Sequence, residues 1–377
     1  MSPLAKLAAL VVCLGAGLGA VWYADKATRD RPARAALPGG TFLAITADAD
    51  ALRRSPVIAQ LLGGERGDAL SVKSLEEPCG FDPLARIREI AVAVPEEGEP
   101  GDFGVAARVD ATGEELARCA DRIGEKKGKR ASFTKQGDTF VIDDAAPGGR
   151  RIAYRPAREG SGILLVATPR WLGAMLAALD GTGPRIDSDA THATLRSALE
   201  KGGPPSLVVT AALPKAVRER IRRDLDREPG SDDGRETMVG ILGVYGAGLA
   251  VALNPTEARF QLELLCEAPA QCEATRTWLE RKRFSLTRDL AARLVAGPFI
   301  DSFQVETRGA TLGASARGNA DDLARAVQRV LDARGERRPD GRDRAPAPTP
   351  PPAPVPDEVI RGAPKPSSNL PAPATSR

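Results

Sequence analysis

Few side chains in this sequence have the type and spacing needed for catalysis or metal binding. The presence of a single histidine, His192, restricts the possible sites most. It lies in Asp189-Ala-Thr-His-Ala-Thr, at or just inside the start of a predicted helix, where we expect a surface or capping role. A single imidazole excludes an H-E-x-x-H motif and any other multi-histidine metal centre. A Ser–His–Asp triad would have to use this residue, and the sequence has no G-x-S-x-G turn to accompany it.

Three other patterns could suggest a site, and each has a simpler structural explanation. Ser132 and Lys135 match the S-x-x-K spacing of penicillin-binding proteins, but Ser132 lies on a predicted strand, and the S-D-N and K-T-G motifs are absent. The glycines of 243–248 are not in G-x-G-x-x-G order, and we interpret them as sites of close packing. Asp48 and Asp50 suit a helix N-terminus better than a metal site. We therefore predict no catalytic, cofactor-binding or metal-binding residue, and a protein that is not an enzyme.

The cysteines carry more information. Apart from Cys13, four remain, Cys79, Cys119, Cys266 and Cys272, and an even number is typical of disulfides in an oxidising compartment. Three connectivities are open; local pairing would place one bridge in each half of the chain. Four buried thiols are the alternative. The sequence has no C-x-x-C pair, so we do not expect a zinc site.

Leu7–Ala24 is an uncharged segment of eighteen residues near the N-terminus. Its length is at the lower limit for a membrane-spanning helix, and Trp22 and Tyr23 stand at its far end, where aromatic rings favour the interface. We predict a single-pass anchor in the cytoplasmic membrane, with the bulk of the chain extracytoplasmic (periplasmic). A cleaved signal peptide that releases a secreted protein, or lipidation at Cys13, are the alternatives. Flanking charges mildly favour the opposite orientation, but we give the cysteines more weight.

Composition excludes one class of partner. The chain has 53 basic and 50 acidic residues, interspersed along its length, and aromatic residues make up only 4%. A dedicated nucleic-acid binder would show a clear basic excess or aromatic residues for stacking on bases, so we expect no nucleic-acid partner.

The C-terminal segment differs in character from the rest. Twelve of the 31 prolines fall between Pro339 and Pro373, without apolar periodicity. Such a sequence cannot bury enough apolar surface to fold, so we predict a disordered tail. A protein or cell-wall partner for this tail is the functional alternative.

Apolar periodicity and turn residues predict an α+β fold with mostly antiparallel strands. The clearest helix start is the capping box Thr112-Gly-Glu-Glu115, which follows a predicted strand over 103–110. We also predict one long helix over 273–295, a buried strand from Gly248 and a hairpin that turns at Gly309.

Similar segments recur along the chain. Ala107–Arg118 matches Ala316–Arg325 with two residues inserted, and Glu263–Cys272 follows the same order more loosely. Thr41–Arg54 and Ser206–Glu219 share a strand-to-helix opening. These matches predict two related halves, each a mostly antiparallel sheet backed by helices, although chance similarity in an Ala/Arg-rich chain is the rival explanation. The predicted order is a membrane segment (1–24), a linker (25–36), the first half (37–202), the second half (203–335) and the tail (336–377).

These features lead to three functional hypotheses. The first is a membrane-anchored envelope protein of bacterial type with a non-enzymatic binding or scaffolding role. The second is an extracytoplasmic carrier or binder of an apolar ligand, because a curved sheet with helices on one face can enclose a lipid-sized cavity. The third is a hydrolase of unrecognised type. The sequence specifies no ligand, pathway or oligomeric state.

Overall fold

The computed structural model describes residues 31–58, 73–96, 102–126, 132–143, 150–157, 160–227 and 243–336. The predicted anchor over 7–24 and the predicted tail beyond 336 lie outside these residues. By contacts, the described residues up to Leu331 form one compact unit. None of the helices in the described part of the chain is long and apolar enough to cross a membrane.

The fold is α+β, with one large antiparallel sheet backed by helices. The strands are β1 (Thr41–Asp48), β2 (Ile87–Pro95), β3 (Gly104–Val109), β4 (Ser132–Gln136), β5 (Thr139–Asp143), β6 (Arg151–Pro156), β7 (Gly162–Ala167), β8 (Leu207–Ala212), β9 (Val244–Leu253), β10 (Glu257–Cys266), β11 (Gln304–Arg308) and β12 (Thr311–Asn319). The helices are α1 (Ala49–Arg53), α2 (Lys73–Cys79), α3 (Gly113–Lys126), α4 (Pro169–Asp180), α5 (Ala190–Glu200), α6 (Lys215–Arg227), α7 (Pro269–Arg288), α8 (Leu290–Asp301) and α9 (Ala320–Glu336).

The sheet is continuous across the predicted boundary between the halves. Its twelve described strands run in the order β11-β12-β10-β9-β8-β1-β2-β3-β7-β6-β5-β4. Strands from 41–167 therefore lie on one side of the β1–β8 contact, and strands from 207–319 lie on the other. We expected one sheet per half; instead β1 and β8 pair antiparallel, from Leu43 opposite Ala211 to Ala47 opposite Leu207. This pairing satisfies backbone groups that two separate sheets would leave exposed at their edges.

A row of apolar residues crosses the sheet on one face, here called the back face. Register pairing places one apolar residue from each of eleven neighbouring strands side by side. In spatial order the row is Ile142, Ile152, Val166, Val105, Val92, Ile45, Val209, Leu249, Leu262, Ala314 and Val305. The six members from Ile152 to Val209 are half-buried, and none belongs to a core cluster of the described residues.

Helices cover the two ends of the back face. On the β6 side, Leu116 of α3 packs with buried Tyr154. On the other side, Leu279 of α7 packs with Leu312, and the ring of Phe299 in α8 lies edge-on to Phe260 with centroids 5.5 Å apart. From Leu249 to Val305 the row packs against helices, whereas its members from Ile142 to Val209 belong to no core cluster of the described residues.

The opposite face, here called the front face, is covered by a 3₁₀ turn at 33–36 and by α4 and α5. Leu172 and Met175 of α4 are 4% and 0% exposed in the main core cluster. Residues 33–36 were predicted as linker, but the structure buries Ala33 and Ala36 completely in this same cluster.

Two element boundaries differ from the sequence predictions. The single helix expected over 273–295 is two helices, α7 and α8, which meet at the extended residue Asp289 (φ −83°, ψ 112°). The strand expected from Gly248 begins four residues earlier, at Val244. Gly248 itself confirms the close-packing interpretation, because a Cβ there would lie 2.8 Å from Leu199 Cδ1 of α5.

Candidate functional site

The chain's single histidine joins α5 to the centre of the sheet. The carboxylate of Asp189 caps α5 by accepting the backbone N–H groups of Thr191 and His192. The imidazole is 3% exposed, with Nε2 2.8 Å from the Thr41 carbonyl and Nδ1 2.8 Å from the Thr210 hydroxyl. Since a carbonyl can only accept, Nε2 donates its N–H to Thr41; in the neutral ring, Nδ1 then accepts from the Thr210 hydroxyl. The expected surface or capping role was wrong: the side chain is a buried link between β1, β8 and α5.

A cavity of about 460 Å³ opens beside this histidine, between the 33–36 turn and α5, above β1 and β8. We call it the central cleft. Its most prominent feature is one carboxylate between two guanidinium groups. Glu200 Oε1 lies 2.7 Å from Arg196 Nε and 3.7 Å from Arg34 Nη1. Asp187 and Lys201 also line the cleft, so its cationic side chains outnumber its carboxylates.

The positive charge in the central cleft is only partly compensated. Burial lowers the pKa of Arg196, and the nearby charge of Arg34 lowers it further. Glu200 and Asp187 act in the opposite direction without restoring the ordinary pKa. The guanidinium of Arg196 therefore sits in surroundings that an additional anion would stabilise.

The cleft continues into a second cavity of about 500 Å³ towards the Asp48 end of β1. Two charged groups of its lining, Arg88 and Asp50, are paired with each other. Arg88 bonds Asp110 at 2.5 Å and Asp50 at 3.0 Å, and Arg53 also bonds Asp50. Burial alone would raise the pKa of Asp50, but the bonds from Arg53 and Arg88 outweigh it and hold that pKa below its ordinary value. Arg88 and Asp50 therefore line this cavity as an ion pair.

Several groups of this site that could move protons have structural partners. Asp48 accepts the N–H of Ala51 at 2.8 Å, which confirms its interpretation as a helix cap. Glu89 accepts the N–H of Ala33 at 2.9 Å. Both nitrogens of His192 are bonded as described above.

The remaining sequence patterns lie elsewhere. As predicted, Ser132 and Lys135 lie on a strand, β4, and not at a helix start. This strand is at the edge of the sheet. The described residues contain no group of three or more His, Cys, Asp or Glu side chains placed to hold a metal ion.

The four cysteines form two disulfides with the local connectivity. Cys79–Cys119 joins α2 to α3, and Cys266–Cys272 joins the end of β10 to the first turn of α7. The expectation of disulfides is thereby confirmed, and such bonds are compatible with a protein outside the reducing cytoplasm.

No protein-family model matches the chain, and no curated protein matches it. Among solved structures, crystal form I of TP0453 is similar at 9% identity and a TM-score of 0.44, over 80% of this chain and 98% of that one. Crystal form III of TP0453 is similar at 9% identity and a TM-score of 0.46, over 80% and 99% of the two chains. Similarity at this level does not bear on function.

Sequence reasoning did not find the charged residues of the central cleft. Arg196 and Glu200 are spaced as an ordinary helix-surface ion pair, four residues apart. Arg34 fell in the predicted linker. No local signal shows that the chain folds these three side chains around one cavity.

Proposed function

We propose that this chain is an extracytoplasmic protein of the bacterial envelope, held at the cytoplasmic membrane by residues 7–24, with a non-enzymatic binding role. The two disulfides support the compartment. The uncharged N-terminal segment supports the anchor. The central cleft supports the binding role.

The ligand class that fits the central cleft best is a small anion, such as a phosphate or carboxylate group. The observation that carries this proposal is the sharing of Glu200 by Arg34 and Arg196. Arg34 and Arg196 both line the cleft, so their guanidinium groups are placed to meet a ligand oxygen. Guanidinium groups bind carboxylate and phosphate oxygens with charge-assisted hydrogen bonds.

Calorimetric titration of the full chain with inorganic phosphate tests this site. We expect saturable binding that weakens about tenfold in Arg196→Gln, the effect of losing one charge-assisted hydrogen bond. Glu200→Gln should strengthen binding, because it removes the competing carboxylate. Arg170→Gln removes an exposed guanidinium from α4 and serves as the matched control with unchanged affinity. Equal affinity in wild type and Arg196→Gln, or no binding in either wild type or Glu200→Gln, would contradict the proposal.

A second candidate function, binding of an apolar ligand, is favoured by the half-buried row on the back face. Val92, Ile45 and Val209 lie side by side on adjacent strands at its centre. Half-exposed apolar side chains in a contiguous row are typical of surfaces that bind apolar partners. We propose an acyl chain lying across the strands as the ligand.

The test uses the double variant Val92→Thr/Val209→Thr, in which each replacement is nearly isosteric. The control is Val217→Thr on α6, where Val217 is 36% exposed. Native mass spectrometry should find lipid on the wild type and on the Val217 control, and less on the double variant. A wild type that carries no lipid would count against this candidate while leaving the phosphate site untouched.

We also propose that the predicted tail binds a protein or cell-wall partner. Pull-downs from envelope extracts, with the full chain and with a chain ending at residue 335, test it. Identical partner sets would remove the tail from the function.

A further inference from the structure

The corner where α7 meets α8 exposes apolar side chains to an unusual degree. Phe284 is 58% exposed, Leu286 46% and Leu290 73%. These are three of the five large exposed hydrophobic residues in the described part of the chain, and they fall within seven positions. Isolated apolar residues on a surface are ordinary, but such a cluster marks an interaction site.

The same corner is strongly cationic. Residues 280–293 contain five basic and two acidic residues. Arg281, Lys282, Arg288 and Arg293 are exposed, and Arg283 is half-buried.

Ion pairs do not cancel this charge. Of the two acidic residues, Glu280 bonds Arg276 one helical turn before the basic run, at 2.9 Å. Asp289 stands at the break between the helices, where its carbonyl accepts the N–H of Arg293. Five cations against two carboxylates leave a net positive corner.

Cationic and apolar groups are interleaved on one surface. Arg281, Phe284 and Arg288 follow the spacing of one helix face, and the Arg288 guanidinium lies 4.1 Å from the centre of the Phe284 ring. Lys282 and Leu286 share the neighbouring face. The helix break at Asp289 then adds Leu290 at the corner.

We propose that the α7–α8 corner docks on an anionic lipid surface. Apolar tips flanked by Arg and Lys match the interface of a bilayer, where rings and leucines enter the acyl boundary while cations meet lipid phosphates. A protein partner would require complementary carboxylates at fixed positions, whereas a fluid anionic surface matches any arrangement of cations. This contact is independent of the central cleft.

Hydrogen–deuterium exchange of the full chain reconstituted into vesicles tests the proposal. The vesicles contain either phosphatidylcholine alone or phosphatidylcholine mixed with phosphatidylglycerol. We expect amides of 281–293 to exchange at least tenfold more slowly on the anionic vesicles, since each cation near such a surface contributes about a fivefold change in partition. Arg281→Gln/Lys282→Gln/Arg288→Gln should lose this slowing. The matched control, Lys215→Gln/Arg220→Gln/Arg223→Gln on α6, removes the same charge from exposed residues and should retain it.

Three results would overturn the proposal. The first is equal exchange at 281–293 on both kinds of vesicle. The second is equal loss of protection in the α6 control, which would show a general charge effect. The third is protection that persists in the triple variant of the corner. Leu290→Ser in an otherwise unchanged chain tests the apolar contribution apart from the charges. It should weaken protection while leaving every charge in place.

Discussion

At the scale of single residues, His192 shows how a residue with catalytic potential serves the fold instead. Its ring lies between Thr41 of β1 and Thr210 of β8, the two strands that join the sheet at its centre. Each ring nitrogen satisfies a polar group that is buried away from water. The imidazole therefore holds α5, and with it Arg196 and Glu200, in place above the β1–β8 contact.

Replacement of His192 by alanine should destabilise the protein by about 3 kcal/mol, because two buried hydrogen-bonding groups lose their partner and a cavity remains. Urea denaturation followed by circular dichroism measures this change. Ser197→Ala, an exposed change on the same helix, should alter stability by less than about 0.5 kcal/mol. A His192→Ala protein as stable as the Ser197 control would show that the two hydrogen bonds contribute nothing.

Tyr154 gives a second prediction at this scale. Its hydroxyl donates to the Ala111 carbonyl at 2.5 Å, and burial, assisted by the charge of Glu115, raises its pKa to about 12. The folded state thus favours the neutral phenol more than the unfolded state does. Its contribution is complete below pH 10, the ordinary value, and is lost as the pH rises towards 12.

Comparison of wild type with Tyr154→Phe isolates this effect. The stability of wild type should fall more steeply than that of the variant between pH 10 and 12, by on the order of 2 kcal/mol in total. Denaturation series at matched pH values measure both slopes. Parallel curves for the two proteins would mean that the phenol ionises as freely in the folded state as in the unfolded one.

At the scale of elements, the two disulfides anchor helices that follow strands in corresponding positions of the sheet. Cys119 lies on α3, which follows β3, and Cys272 lies on α7, which follows β10. Each of these strands is the third from the β1–β8 contact on its own side. The two bonds therefore fix corresponding strand–helix units.

The two bonds should differ in their effect on stability. Cys79 and Cys119 are 40 residues apart in sequence, and Cys266 and Cys272 are 6 apart. Because the longer loop loses more entropy in the unfolded chain, Cys79→Ser/Cys119→Ser should lower stability by about 4 kcal/mol and Cys266→Ser/Cys272→Ser by about 2 kcal/mol. Denaturation under oxidising conditions measures both, and the wild type with reductant gives the control. The reverse order would contradict this interpretation.

The order of the strands in the sheet changes the interpretation of the repeat found in the sequence. Its strongest match, Ala107–Arg118 with Ala316–Arg325, pairs β3–α3 with β12–α9, which hold different places in the sheet. The looser segment Glu263–Cys272 covers β10–α7, the unit placed like β3–α3. Acidic residues recur at helix starts for local reasons, because they cap free backbone N–H groups. Two such segments can therefore match in sequence without holding corresponding places in the sheet. The common origin of the two halves stays a prediction.

At the scale of the whole molecule, compartment is the property on which the proposed function depends most. An alkaline phosphatase fused after residue 335 should be active in a bacterial host, because we propose that the body of the chain, with its two disulfides, lies in an oxidising compartment. A green fluorescent protein at the same point should be dark. Removal of residues 1–24 is the control and should abolish phosphatase activity. A bright fluorescent fusion with an inactive phosphatase fusion would reverse the assigned orientation.

The sequence by itself determined the features that depend on neighbouring residues: the α+β class, the capping box in which Thr112 and Glu115 bond each other, the hairpin at Gly309 and the presence of disulfides. Local chemistry decides these, since caps, turns and periodicity act over a few positions. Tertiary structure alone decided the rest. The union of the sheet through β1 and β8, the burial of His192 and the meeting of Arg34 with Arg196 and Glu200 all bring together residues more than 140 positions apart. Each such contact depends on how complete elements pack, which no short segment of the sequence specifies.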